Sequence, residues 1–265
     1  MPDSFIHFNR RTVRRRLPAT LETPWYAEAQ EATGGFDRPA YHVTRATGGA
    51  AARVKPGDTI WLVGQLYMGK RKLPPALDAR IEVLSVDSRR NEPGFRYAAS
   101  PASRWFPLVD LRPVLLGLQS RDAMGNLSPL LADPDRPVGF SLRRMRQLVD
   151  DEPFRRWEEA MDSRDHHFIS YRLKDGTAAA FETAHDLCRR NVPFFWDRWS
   201  MPRRLVERRE LVEDAYLNRM IEQHIRRAET VLGVESPLYF EAGCYATRER
   251  ELAQSLHKYR SVNVT

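Results

Sequence analysis

Residues 166–175 read HHFISYRLKD, and how this run begins and ends decides the reading of the second half of the chain. Phe168 and Ile169 are apolar neighbours, as on a strand buried on both faces. Polarity returns at once with Ser170, Tyr171 and Arg172. The next stretch, GTAAAFETAHDLCRRN, has helical spacing, with Ala178, Phe181, Ala184, His185 and Cys188 as its expected inner stripe. A strand with a polar tip followed by a helix opens a βα unit, and open α/β sheets hold ligands beyond such tips.

The pattern continues toward the C-terminus. VPFFWD predicts a second strand and RWSMPRR a loop, followed by a long helix over 207–227. AETVLGVES predicts a third strand, YATRERELAQSLHKY a last helix and SVNVT a last strand. Strands alternating with helices imply parallel pairing through crossover connections. The strand tips are then Ser170, Tyr171 and Arg172; Asp197, Arg198, Trp199 and Ser200; and Ser236. Each polar residue among them also suits a helix cap or a turn.

Toward the N-terminus the pattern changes. AYHVTRA, TIWLVGQLY, ARIEVLSVD, GFRYAAS and RWFPLVDLRPVLLGL read as extended runs, separated by turns such as Pro56, Gly57 and Asp58. From Ser141, SLRRMRQLVDDEPFRRWEEAMD places Leu142, Met145, Leu148 and Val149 at helical spacing, and Pro153 opens a further helical turn. The chain is therefore expected to be α/β overall. A mainly β, α+β unit over 1–160 precedes a parallel-sheet unit over 161–265, with the division at 161–165.

Composition bounds the function. The chain has 265 residues, 42% hydrophobic and 29% charged, a globular balance with length for two cores. No apolar run approaches the roughly 20 residues that cross a bilayer, and the N-terminus lacks a signal-peptide core. The cytoplasm is the expected location, with no membrane partner. Two cysteines, Cys188 and Cys244, are too few for a disulfide framework or a cysteine zinc site, and both are expected as packed, reduced thiols. No metal site is expected. The formal charge is +7, and Arg10, Arg11, Arg14, Arg15 and Arg16 crowd one segment. Such an arm could meet a phosphate backbone, stay solvated, or pair with acidic groups of the protein itself.

FISYRLKD, FFWDRWSMP and ETVLGVESPLYF…YATRERELA resemble, in order, the three signature regions of TIR domains, over about the last 100 residues. The first resembles the opening strand, and the second the next strand with its D-x-x-S-x-x-P-G loop. Asp197, Ser200 and Pro202 are present there without the glycine. The third resembles a strand followed by S-x-x-Y, matched by Ser236 and Tyr239, and a W-x-x-x-E-like element. In that element Tyr245 stands for the Trp and Glu249 follows four residues on. A one-residue longer loop near FEAGCYA leaves Glu251 as the alternative carboxylate, and the chain has no room for the family's closing helix.

The resemblance implies a flavodoxin-like parallel sheet. It also implies cleavage of NAD+ between nicotinamide and ribose, giving linear or cyclic ADP-ribose products, in prokaryotic anti-phage defence or cell-death signalling. NAD+ is then a substrate and no cofactor is implied. Glu249 is implied as the catalytic carboxylate, with Ser170, Tyr171, Arg172, Asp197, Trp199, Ser200, Ser236 and Tyr239 around the substrate. Trp199 would stack on a ring of the dinucleotide and Arg172 would meet its phosphates. Self-association through the TIR-like half is expected.

The first half resembles the PUA-like group, which includes EVE and YTH domains. Trp61, Tyr97, Trp105 and Phe106 could line an aromatic pocket for a nucleotide or nucleic acid, or could be β-core. Three functions follow: an NAD-consuming enzyme with a sensor half, a non-enzymatic TIR adaptor, and a nucleic-acid-binding module.

Overall fold

A computed structural model describes residues 2–12, 33–34, 38–88, 93–133, 137–164, 166–200 and 214–263. Arg14, Arg15 and Arg16 of the basic arm, and residues 207–213 of the expected long helix, lie outside the described residues.

The chain is mixed α/β. Among the described residues its first half supplies β1 (Ser4–Thr12), β2 (Thr33–Gly34), β3 (Pro39–Thr44), β4 (Thr59–Met68), β5 (Arg71–Lys72) and β6 (Ala76–Ser88). It continues with β7 (Phe95–Ala99), β8 (Arg104–Trp105), α1 (Arg112–Leu116), β9 (Gln119–Arg121), β10 (Leu127–Pro129), α2 (Val138–Ser141), β11 (Arg146–Leu148) and α3 (Glu152–Asp162). These strands form one mixed sheet in the order β10-β9-β11-β1-β4-β6-β7-β3-β2, with β5 beside β4 and β8 beside β6. β1 and β4 run parallel, and the other pairs are antiparallel.

β4 explains why TIWLVGQLYM carries so little polarity. Successive side chains alternate between faces. Ile60 and Leu62 enter one apolar cluster with Phe5, Ile81 and Tyr97, while Trp61 and Val63 enter another with Ile6, Phe106 and Phe154. A strand covered on both faces needs apolar residues at nearly every position.

Residues 142–149 depart from the expected helix. α2 ends before Leu142, and β11 is an extended strand paired with β1 and β9. Leu142, Met145 and Leu148 are all buried, but Leu142 and Leu148 face one cluster and Met145 the other. The apolar spacing is real; it serves two faces of a strand-and-turn segment. α3 does begin with Pro153 in its first turn, and it buries Phe154, Trp157 and Met161.

The second half supplies β12 (His167–Tyr171), α4 (Thr177–Arg189), β13 (Phe194–Phe195), α5 (Asp197–Ser200), α6 (Asp214–Arg227), β14 (Thr230–Glu235), α7 (Tyr245–Ser255) and β15 (Tyr259–Asn263). Among the described residues its four strands form a separate, wholly parallel sheet in the order β13-β12-β14-β15. Counted along this half alone, the order is 2-1-3-4. On α4 the expected Phe181, Ala184 and Cys188 are buried, but Ala178 is exposed and Thr177, Ala180 and Leu187 complete the face.

That face is wide because it has two neighbours. Ala180, Phe181, Ala184, Leu187 and Cys188 share a cluster with Leu66, Met68, Leu73, Ala76 and Leu108 of the first half. Trp199 belongs to the same cluster, and its indole N–H donates to the Phe106 carbonyl at 3.0 Å. Gly64 makes room for it, since a Cβ there would lie 2.8 Å from the Trp199 ring. The two sheets are thus joined by continuous apolar packing.

Candidate functional site

α7 is built largely from good helix formers, ATRERELAQ, and its register places Glu249. Ala246 and Ala253 are buried against the sheet. Glu249 stands three residues after the first and four before the second, so it lies on the same face. Glu251 falls off that stripe and is exposed. This register brings Glu249, and not Glu251, over the strand tips.

There the Ser170 hydroxyl, at the carboxyl end of β12, donates to Glu249 Oε2 at 2.6 Å. With that proton committed, the Tyr239 hydroxyl donates to Ser170 Oγ across 3.0 Å. Tyr239 follows the tip of β14 and is fully buried. Its hydroxyl interacts in turn with that of Tyr259, which donates to Glu235 at 2.7 Å. Tyr259 reaches across only because residue 233 is glycine: a Cβ there would sit 2.0 Å from the Tyr259 hydroxyl. The result is a line of hydrogen-bonding groups running from Glu249 through Ser170, Tyr239 and Tyr259 to Glu235.

A second carboxylate lies near. Tyr171 donates to Asp197 Oδ1 at 2.8 Å. Glu249 keeps some contact with solvent, yet burial, opposed by the Ser170 hydrogen bond and reinforced by the Asp197 charge, pushes its pKa up to about 7. Burial likewise raises Tyr239. Such a carboxyl exchanges its proton near neutral pH, whereas an exposed glutamate is ionised throughout that range. It can donate a proton, accept one, or present negative charge to a developing cation.

The remaining expected residues have different surroundings. Ser236 donates to Asp175 Oδ1 at 2.7 Å, and Asp175 Oδ2 accepts from the Leu238 amide at 2.8 Å. Ser236 therefore ties the loop after β12 to the tip of β14. Arg172 pairs with Glu241 at 2.6 Å, and among the described residues its buried Nε has no hydrogen-bond partner. Ser200 accepts from the Trp196 amide at 3.2 Å. Trp199 is 2% exposed and packs between the halves, so the expected stacking plate is a core residue.

Asp175, Glu241 and Tyr259 are structural members of the site that the sequence reading missed. Asp175 was legible as the acid that closes HHFISYRLKD, but its partners are more than 60 residues away. Half-exposed Phe240 stands beside Tyr239, with the Arg250 guanidinium 4.8 Å from its ring centre. In the first half, Trp61 and Phe106 belong to one cluster, while Tyr97 belongs to another with Trp105 packed against it. The four do not line a common aromatic pocket. Trp61 donates to Asp151 at 3.0 Å and Tyr97 to the Ala51 carbonyl at 2.8 Å.

Both cysteines are free and buried. Among the described residues no group of three His, Cys, Asp or Glu side chains could hold a metal ion, and no helix is long and apolar enough to cross a membrane. In comparisons with family models, curated proteins and solved structures, nothing matches this chain.

Proposed function

We propose that the chain cleaves NAD+ at the bond between nicotinamide and ribose, with Glu249 as the catalytic carboxylate. The observation that carries this reading is the 2.6 Å contact of Glu249 with Ser170 at a parallel-strand tip, on a carboxyl whose pKa is raised to about 7. The 2-1-3-4 strand order supports it, matching the first four positions of the flavodoxin-like order 2-1-3-4-5, in which ligands sit at the carboxyl ends of the strands. The resemblance of FISYRLKD and its two companion segments to TIR signatures supplies the substrate.

The chemistry fits these groups. As the N1–C1′ bond breaks, its electron pair neutralises the nicotinamide ring, so the leaving group needs no proton. Positive charge develops on the ribosyl C1′ and ring oxygen. Ionised Glu249 stabilises that charge through a low-dielectric path. Ser170 fixes the carboxylate, and the Tyr239 hydroxyl fixes Ser170. Capture of C1′ by water, which loses a proton, gives ADP-ribose; capture by a nucleophile of the same molecule gives a cyclic product. The resemblance assigns the phosphates to Arg172, whose guanidinium is held by Glu241.

Incubation with NAD+ and chromatography of the products tests the proposal. Nicotinamide release is expected, and Glu249→Ala is expected to lower the rate by about 100-fold or more, the scale of losing one preorganised electrostatic group. A protein that leaves NAD+ intact, or a variant as active as the parent, contradicts it.

A further inference from the structure

The polar contacts of Glu249 run on past Tyr239 to a second carboxyl. Ser170 stands opposite Gly233 in the register of β12 and β14, so both face the same side of the sheet. The Tyr259 hydroxyl occupies the space where a Gly233 side chain would stand. Glu235, two residues after Gly233 and on that same side, accepts from the Tyr259 hydroxyl at 2.7 Å. α7 covers this side: Tyr259 packs against the cluster of Tyr239 and Ala246, and against that of Val231 and Ala253. The hydroxyls of Ser170, Tyr239 and Tyr259 are thus held in a row between the carboxyls of Glu249 and Glu235.

The row is one proton short when both carboxyls are ionised. Its four contacts are Glu249–Ser170, Ser170–Tyr239, Tyr239–Tyr259 and Tyr259–Glu235. Each hydroxyl carries one proton, so three protons serve four contacts. With Ser170 donating to Glu249, Tyr239 to Ser170 and Tyr259 to Glu235, the unfilled contact joins the two phenols. Ser170 and Tyr239 are fully buried, where oxygens facing each other without a proton are costly. One added proton fills the row. On Glu249, it makes every group donate toward Glu235; on Glu235, it makes every group donate toward Glu249. Passage between these states breaks four O–H bonds and forms four, and it moves the negative charge from one carboxyl to the other.

We propose that Glu235 and Glu249 share one proton through Ser170, Tyr239 and Tyr259, which makes Glu235 a positioning residue for the charge on Glu249. Glu235 is partly exposed at the tip of β14, where the proton exchanges with water. While the proton rests there, Glu249 is ionised and held by the Ser170 hydroxyl, the state that stabilises a developing cation. Among the described residues, the charges acting on the row from outside it are Asp197 of α5, on Glu249, and Arg250 of α7, on Tyr239. The sharing rests on the contacts of the folded chain and does not depend on NAD+ cleavage.

The experiment is a pH titration of the full-length chain, without NAD+, with glutamate carrying carbon-13 at its side-chain carboxyl and followed by nuclear magnetic resonance. Glu235→Gln and Glu249→Gln assign the two signals. In the wild type, both signals are expected to move in one step near neutral pH, with amplitudes that sum to one proton. Tyr259→Phe removes the hydroxyl that joins the carboxyls, and Ser170 and Tyr239 then fill their contacts with their own protons. Glu249 is expected to ionise about one pH unit or more lower, a tenfold loss of proton affinity, and Glu235 to titrate in a separate step. Glu235→Gln supplies Tyr259 with an amide donor and is expected to lower Glu249 in the same way. The proposal is overturned by a Glu235 signal that stays flat through the Glu249 step of the wild type. It is overturned equally if either substitution leaves the Glu249 midpoint in place. The wild-type titration needs no variant beyond the assignment, so a Tyr259→Phe chain that fails to fold does not remove the test. A chain that shares the proton yet leaves NAD+ intact keeps this inference and contradicts only the catalytic reading.

Discussion

The buried pair His7 and His42 and the buried cluster around Glu249 are instructive opposites. His7 Nδ1 lies 2.8 Å from His42 Nε2, within the first sheet, and both rings are almost wholly buried. Burial lowers His7 to about 4 and His42 well below its usual value, with the neighbouring His7 adding to the effect. Burial raises Glu249 to about 7. In each case the medium removes charge from the ordinary ionisation state. The histidines are buried, and among the described residues His42 Nδ1 has no hydrogen-bond partner. Glu249 retains contact with solvent and converges with Ser170, Tyr239 and Asp197. The first pair belongs to the core; the second cluster is the candidate site.

The largest effect expected to test this contrast belongs to neither group. Trp199→Ala is expected to cost about 3–5 kcal/mol, the scale of emptying a large core aromatic site, read as a lower urea midpoint. Loss of NAD+ affinity without loss of stability would return Trp199 to the crevice.

Next come the histidines. The folded chain binds fewer protons than the unfolded chain between pH 6.5 and about 4, so stability is present above that window and falls as pH drops through it. A shift from 6.5 to about 4 at His7 corresponds to about 3 kcal/mol. Denaturation midpoints across this range check it, and a flat profile would mean that the pair is solvated. Glu249 has the opposite sign. Its raised pKa makes the folded state bind more protons between pH 4.5 and about 7, so ionising it costs stability as pH rises through that window. Glu249→Gln is therefore expected to stabilise the chain by about 2 kcal/mol at pH 8 and scarcely at pH 4.5. In this variant the residual acid slope isolates the histidines.

The smallest effect concerns Asp197. Its charge helps to raise Glu249, so Asp197→Asn is expected to move the midpoint of the activity–pH profile to lower pH by a fraction of a unit, with the Tyr171 contact kept. A shift to higher pH would deny that coupling.

Much of the second half was legible because short parallel strands buried on both faces leave compact apolar runs between helices. FIS and the VLGV within AETVLGVES are such runs. Glu249 was placed by resemblance, and its register with Ala246 and Ala253 was also open to inspection. Residues 142–149 misled because three- and four-residue apolar spacings arise equally when turns and a strand feed two cores. The role of Trp199 was hidden because it depends on Gly64, a residue 135 positions away on another sheet. The pairing of His7 with His42 was equally hidden, since β1 and β3 are not neighbours within the sheet.

The most direct measurement is nicotinamide release from NAD+ by the purified chain and by Glu249→Gln, from pH 5 to 9. The account predicts activity that rises as Glu249 ionises near pH 7 and falls by about two orders of magnitude or more in the folded variant. A Glu249→Gln protein with the parent's rate and pH profile would contradict it.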